Sequence, residues 1–313
     1  MPNFGQTDIN AQGIFTKLLT SDSDKSTGLA AIETLMEVLK TSDANTLSEL
    51  THKLDDAVGA MLKTDYSSAS LQSASELFLR FISLISKEAL LVDPDFEHVK
   101  QEYIKRGNIF IERIRKSRQI IASCFRPFIR SNLKILTHSF SKVVLESLLE
   151  AKSRGCNFHV FTTESQPDRS GRKMYEVLQK HEIQSTLVLD SAVGYLMEQI
   201  DFVVFGAEGV METGGIINKI GTLGVAICAK AMNKPVYVMA ESIKFVKEYP
   251  LNQSDIPDKF KYRYSTLQTN KDELKNEHPL TDYTPPQYLN LLITDLGIFT
   301  PAAVGDELIK LYT

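Results

Sequence analysis

The chain has no tryptophan, only three cysteines, and no apolar run approaching the ~20 residues that cross a bilayer. Cys124, Cys156 and Cys228 are odd in number, widely spaced and without a CxxC pair, which argues against a disulfide framework or a zinc ribbon. They fit a reducing compartment, each as a small buried hydrophobe. No HExxH or Cys/His cluster is present, so no metal is expected. The absence of GxGxxG and GxxxxGK[ST] removes the standard dinucleotide fingerprint and the P-loop. A basic excess is also missing: the formal net charge of −4 speaks against direct nucleic-acid binding. The first residues, MPNFGQTDIN, lack a basic start followed by an apolar core, so no signal peptide is expected. These absences together predict a soluble cytoplasmic protein with no membrane contact.

What is present is ordinary globular material. The chain has 313 residues, of which 43% are hydrophobic and 24% charged, enough for two domains or one large one. The first part reads as helical. Ala30, Ile32, Leu35, Met36 and Leu39 fall at three- and four-residue steps. Thr46 with Glu49 has capping-box spacing ahead of Leu47, Leu50, Leu54, Val58 and Met61. Ser73 with Glu76 repeats the signature before Leu77, Phe78, Phe81, Ile82 and Ile85, and the Ser- and Ala-rich run 64–75 reads as a loop. Asp93-Pro94 predicts the start of a helix running through Phe96, Val99, Tyr103, Phe110 and Ile114 toward Phe125. Arg113, Arg115, Lys116 and Arg118 cluster on that helix, as a solvated face, a contact for phosphate or an acidic partner, or an RNA contact without accompanying aromatics.

From about residue 133 strands and helices alternate. Short apolar runs at 134–137, 158–162, 186–189, 202–205, 236–239 and 291–294 are separated by helical segments. This predicts an α/β domain with a mostly parallel sheet covered on both faces. The helical domain is thus expected over residues 1–130 and the α/β domain over 131–313. His138, Ser139, Thr163, Glu164, Asp190, Glu208, Glu241 and Asp295 each follow the last apolar residue of a strand, so the topology gathers them on one ligand-binding edge.

The stretch DFVVFGAEGVMETGGIINKIGT, 201–222, reads as a strand, a turn at Gly214-Gly215, and a helix carrying Ile216, Ile217 and Ile220. Glu208, Asn218 and Lys219 give that edge an acid, an amide and a cation, unless Lys219 pairs with Glu208 or Glu212 and only closes the turn. Ser139 beside His138 lacks a GxSxG elbow, and neighbours on an extended chain point oppositely, so no serine nucleophile is expected. Between Tyr249 and Gln287 the periodicity lapses. That excursion either wraps its own domain or, through Tyr249, Phe260, Tyr262, Tyr264 and Tyr283, forms a partner surface, the reading preferred here.

The segments TESQPDRSGRKM, DSAVGYLMEQIDFVVFGAEGVMETGGIINKIGT, NKPVYVMAES, PLNQSDIPDKFKY and DELIKLYT, together with ELFLRFIS, closely resemble the regulatory subunits of eukaryotic translation initiation factor 2B over nearly the whole chain. The resemblance implies a helical domain followed by a Rossmann-like domain, and a homodimer joined through the latter. It implies partnership with beta, gamma, delta and epsilon subunits in the complex that exchanges guanine nucleotide on initiation factor 2. The role implied is regulatory and non-enzymatic. It is the sensing of the phosphorylated alpha subunit of initiation factor 2, as in the integrated stress response, while gamma and epsilon carry the exchange. Within the helical domain, the connection holding Thr41 and Thr46 is the expected contact, because a phosphoserine seeks a cation or a helix N-terminus.

The same superfamily includes methylthioribose-1-phosphate isomerase, the alternative reading. Where the resemblance places that enzyme's THC with its catalytic cysteine, this chain has Thr137-His138-Ser139; where it places GAD, this chain has Gly206-Ala207-Glu208. The NKIGT segment that helps hold the sugar phosphate stands intact over 218–222. A hydroxyl is far less acidic than a thiol, and an added methylene moves a carboxylate by ~1 Å, which a positioned proton transfer does not tolerate. The resemblance therefore implies no catalytic residues and a retained site for a sugar phosphate or nucleotide. Its residues would be His138, Ser139, Glu164, Ser165, Ser170, Gly171, Glu208, Asn218 and Lys219, with no other cofactor.

Overall fold

Side-chain caps start the first four helices. In the computed structural model, which describes residues 10–22, 24–84, 96–269 and 278–312, these are α1 (Ala11–Ser21), α2 (Thr27–Thr41), α3 (Leu47–Met61) and α4 (Ser68–Ser83). Asn10, Ser26, Thr46 and Ser67 each accept a hydrogen bond from a first-turn amide, satisfying donors a helix start leaves open. At α3 the expected capping box is half formed. Thr46 accepts from the Glu49 amide at 3.2 Å, but the Glu49 carboxylate takes the amide of Asn45 at 3.0 Å.

The start expected at Ser73 is wrong. α4 begins at Ser68, inside the run read as a loop, and Ser68, Ser70, Ser73 and Ser75 are buried. Serine disfavours helix interiors by competing for backbone bonds, yet its small size suits helices packed closely. α2, which packs against α4, fully buries Ala30, Ala31, Ile32, Leu35 and Leu39. α5 (Phe96–Phe125) is a single 30-residue helix. The Asp93-Pro94 start and Ile85 lie outside the described residues. By compactness the chain divides into the units Met1–Arg113 and Ile114–Thr313, a boundary that falls within α5. The described residues of the first unit contain no strand.

The second unit is built on a seven-stranded sheet. Its strands are β1 (Lys134–Thr137), β2 (His159–Thr163), β3 (Ser185–Val188), β4 (Phe202–Gly206), β7 (Val236–Met239), β10 (Leu291–Thr294) and β11 (Gly297–Phe299). The order is β11-β10-β7-β4-β1-β2-β3, parallel except for β11. Side chains alternate between two cores. Leu136, Phe161, Val203, Phe205, Val238 and Leu292 face one, while Ile135, Val160, Phe202, Val204, Met239 and Ile293 face the other. α6 (Lys142–Ser153), α7 (Ser170–Lys180) and the end of α5 cover the second core; α8 (Thr222–Ala231) and α9 (Val304–Tyr312) cover the first. Cys124 and Cys156 pack against one core and Cys228 against the other, half-buried rather than enclosed. The chain winds outward from β1 to β3, then crosses back to β4 on the other side of β1. The order reverses there, between β1 and β4, and open α/β sheets take their ligands at that point.

A second sheet escaped the sequence reading. It joins β8 (Phe245–Val246), β5 (Gly209–Met211), β6 (Ile216–Lys219) and β9 (Thr281–Thr284) in that order. The segment expected to begin a helix at Ile216 is therefore a strand, antiparallel to both β5 and β9. Two adjacent β-branched isoleucines, fully buried, suit a strand flanked on both edges. Gly214, at φ +79°, turns the β5–β6 hairpin, so the Gly-Gly pair is a hairpin turn and not a phosphate loop. The helix begins only at Thr222. The excursion after Tyr249 contributes β9, and its Phe260 and Tyr283 are core residues, while Tyr249 is 65% exposed. For those two rings the wrapping role holds and the partner-surface role does not.

Candidate functional site

The carboxyl ends of β1, β2 and β3 are joined by one hydrogen-bonded network. Asp190, after β3, accepts the amides of Ser165 and Gln166, each at 2.8 Å, and so fixes the loop after β2. Ser165 is fully buried, and its hydroxyl accepts from the Ser139 amide at 2.7 Å. His138 is 2% exposed. Its Nε2 lies 2.8 Å from the Ile220 carbonyl, which can only accept, so Nε2 carries the hydrogen. Nδ1 then accepts from the Thr163 hydroxyl at 2.6 Å. Burial pushes the His138 pKa down, against the upward pull of the Ile220 carbonyl and Asp190, which suits this neutral tautomer.

Ser139 is not on an extended chain, since it has φ +68°. It still parts from His138: its hydroxyl meets that of Ser170 at 2.9 Å. Ser170 opens α7, and its amide donates to Asp168 at 3.0 Å. The other oxygen of Asp168 takes Lys219 Nζ at 2.5 Å. Burial raises the Asp168 pKa, but Lys219 and Ser170 outweigh it and hold the carboxyl below its ordinary value. Gly171 lets α7 start directly on the sheet, since a Cβ there would stand 1.7 Å from the Thr163 carbonyl. Glu164 pairs with Arg172 at 3.1 Å, its own side chain largely buried.

Asn218 and Glu208 lie at the hairpin. The Glu208 amide donates to Ile217 at 2.9 Å, and Asn218 Nδ2 donates to the Thr222 hydroxyl at 3.1 Å. The start of α8 is capped by an acidic side chain. Asp282, on β9, accepts from the Gly221 amide at 2.7 Å and the Leu223 amide at 3.2 Å. Burial pushes Asp282 up to about 7, although those two amides pull it down.

The structure thus brings together His138, Ser139, Ser165, Ser170, Gly171 and Lys219, sets Glu208 and Asn218 on the adjoining hairpin, and pairs Glu164 with Arg172 instead of with that network. Asp168 and Asp282 were missed as site residues. An aspartate two positions before a helix was a usable sign of the first, whereas nothing local marks the second. Farther along the same edge, after β7 and β10, Arg118 and Lys244 flank Glu241 at 3.2 and 3.1 Å, and Asp295 accepts from the Ser242 amide and hydroxyl at 2.6 and 2.8 Å. Burial raises the Glu241 pKa, but Lys244 and Arg118 overcome it and hold it at about 2. Arg118 is accordingly part of a buried ion pair, which none of the readings of the basic cluster anticipated.

In the helical unit, Thr41 ends α2 with its hydroxyl on the Glu37 carbonyl at 2.7 Å, and Thr46 caps α3; both are exposed. Between them Asp43 pairs with Lys53, and Lys100 Nζ holds the Ser42 carbonyl at 2.6 Å. Asp43 and Lys53 border a cleft of about 540 Å³ that also takes in Val38, Asp56 and Lys63. Among the described residues no three His, Cys, Asp or Glu side chains gather to hold a metal ion, and no helix is long and apolar enough to cross a membrane.

A doubly wound α/β unit with a polar edge at its switch point, preceded by a helical unit, is the class of protein that fold and site define. The chain belongs to the initiation factor 2 subunit family, whose profile matches residues 20–301. It is 54% identical over 298 residues to the alpha subunit of translation initiation factor eIF2B of Caenorhabditis elegans, spanning 95% of this chain and 97% of that one. A ribose 1,5-bisphosphate isomerase of Archaeoglobus fulgidus is 28% identical over 272 residues, spanning 87% and 83%. By similarity the chain stands with the initiation-factor subunits ahead of the isomerases. Among solved structures it matches a chain of the tetrameric eIF2B-beta2-delta2 complex from C. thermophilum. That match has a TM-score of 0.73 and 19% identity, over 96% of this chain and 94% of that one, and speaks to the fold.

Proposed function

We propose that this chain is the alpha-type regulatory subunit of the initiation factor 2B complex, acting as a homodimer beside beta, gamma, delta and epsilon subunits in the cytoplasm. Its task in this reading is to register phosphorylation of the alpha subunit of initiation factor 2 and pass it to guanine-nucleotide exchange. The observation that carries the proposal is the 54% identity, over almost the full length of both chains, to a subunit of that name. The start of α3, with Thr46 exposed, supports the phosphate contact. The test is reconstitution of exchange from purified subunits with and without this chain. Inhibition by phosphorylated initiation factor 2 should require the chain, and substitutions at Thr41 and Thr46 should relieve it. Inhibition that persists without the chain would refute the regulatory role.

The polar edge, in the same reading, binds a sugar phosphate or nucleotide without turning it over. Ser139 faces Ser170 and not a base, so nothing activates its hydroxyl. Calorimetry with sugar phosphates and nucleotides tests the binding, and measurable isomerisation would favour the enzyme reading.

A further inference from the structure

Asp168 holds the position that an anionic ligand needs. One oxygen lies 2.5 Å from Lys219 Nζ, whose side chain is 9% exposed. The other accepts from the amide of Ser170 at 3.0 Å, beside the paired hydroxyls of Ser139 and Ser170. An ammonium, an amide at a helix start and two hydroxyls are the donors a phosphate oxygen takes. Here they hold a carboxylate of the chain itself.

We infer that Asp168 is a built-in competitor at the anion position of this edge, and that it decides which ligands enter. The inference rests on the reading of the edge as a ligand site. Lys219 is buried, so removing its carboxylate without replacing the charge leaves an ammonium unpaired, which a neutral sugar cannot prevent. A free carboxylate offers Lys219 nothing that Asp168 lacks, and the tethered group acts at an effective concentration in the millimolar range or above. A phosphate monoester near pH 7 brings about two charges and three acceptor oxygens. It alone of the three exceeds the resident carboxylate in charge. The edge therefore admits phosphate monoesters and rejects sugar acids and unmodified sugars, and Asp168 swings away from Lys219 when the phosphate arrives.

The experiment is calorimetry on the full-length chain with inorganic phosphate, a set of pentose and hexose phosphates, and the matched trio glucose 6-phosphate, glucuronate and glucose. The wild type should bind phosphorylated members of the set and neither glucuronate nor glucose. Asp168→Asn should tighten phosphate binding at least tenfold and make glucuronate binding measurable, because a neutral amide no longer competes. Asp168→Ser, which keeps a short acceptor for the Ser170 amide, is the second variant should the first not fold. Lys219→Met should remove phosphate binding in either background. If wild type and both Asp168 variants bind phosphates equally, Asp168 is no competitor and the inference is overturned while the ligand site stands. Heat from none of the phosphates in any variant would remove the ligand site, and the inference with it.

Discussion

Neutral His138 works as a tie between β1 and the residue after β6, donating to Ile220 and accepting from Thr163. Replacing it by alanine leaves a buried carbonyl and a buried hydroxyl without that partner, at about 1–3 kcal/mol for each unsatisfied group. His138→Ala should accordingly lower the urea midpoint by an amount worth at least ~1 kcal/mol, with the slope unchanged. Because burial depresses the His138 pKa, its contribution is present above the unfolded value near 6.5 and is lost as pH falls through the lower folded value. Asp282 acts in the opposite sense. Its folded pKa is pushed up to about 7 from 3.8, so the folded state holds a proton there that the unfolded chain has released. The stability it contributes is full below the unfolded value and declines as pH rises from about 4 to about 7. Asp282→Asn should flatten that decline in denaturation curves measured across this window. A decline equally steep in the variant would show that another group causes it.

The elements that sequence made legible were those with local signatures. Five of the six parallel strands of the large sheet show as apolar runs because both their faces are largely buried, with β3 the half-buried edge strand, and α2, α3 and most of α5 show as helical periodicity. The small sheet was illegible because its strands are two to four residues long and β6 finds its partner β9 far along the chain. The same distance hid Asp282 as the cap of α8, while His138 and Ser139 were readable from their place after a strand, and Lys219 was singled out only as a cation on a segment misread as a helix. At α4 the composition misled, since serines that usually signal a loop instead line a packed face. Two substitutions separate those roles. Ser67→Ala removes the observed cap and should cost about 1 kcal/mol. Ser75→Ala, inside the helix and buried with no hydrogen-bond partner for its hydroxyl, removes no cap and should leave stability equal or higher, in thermal unfolding of the two variants side by side.

At the scale of the whole molecule the surface to test is apolar. Leu189, Tyr195 and Ile227 are 60, 86 and 44% exposed, on α8 and on the segment that packs beside it near Gly194 and Cys228. Single exposed hydrophobes are ordinary, but three on neighbouring elements suit the centre of an interface between two copies. Tyr195→Asp and Ile227→Asp should convert a dimer to a monomer in sedimentation velocity at micromolar concentration, with the circular dichroism of the fold unchanged. A wild-type monomer under those conditions would remove this face from consideration.

The capping of α8 by Asp282 also bears on how the chain is made. Gly221 and Asp282 are 61 positions apart, and β6 waits equally long for β9. At a synthesis rate of roughly 5–20 residues per second, the ribosome needs on the order of several seconds to deliver the missing strand. Throughout that interval the nascent β5–β6 hairpin has an open edge, and α8 has a start without its carboxylate. β1, β2 and β3 emerge consecutively and pair with one another, so the large sheet can begin forming while the small one is still waiting. A chaperone that shields strand edges would find its substrate in that interval, and a ribosome stalled between residues 222 and 280 would display it.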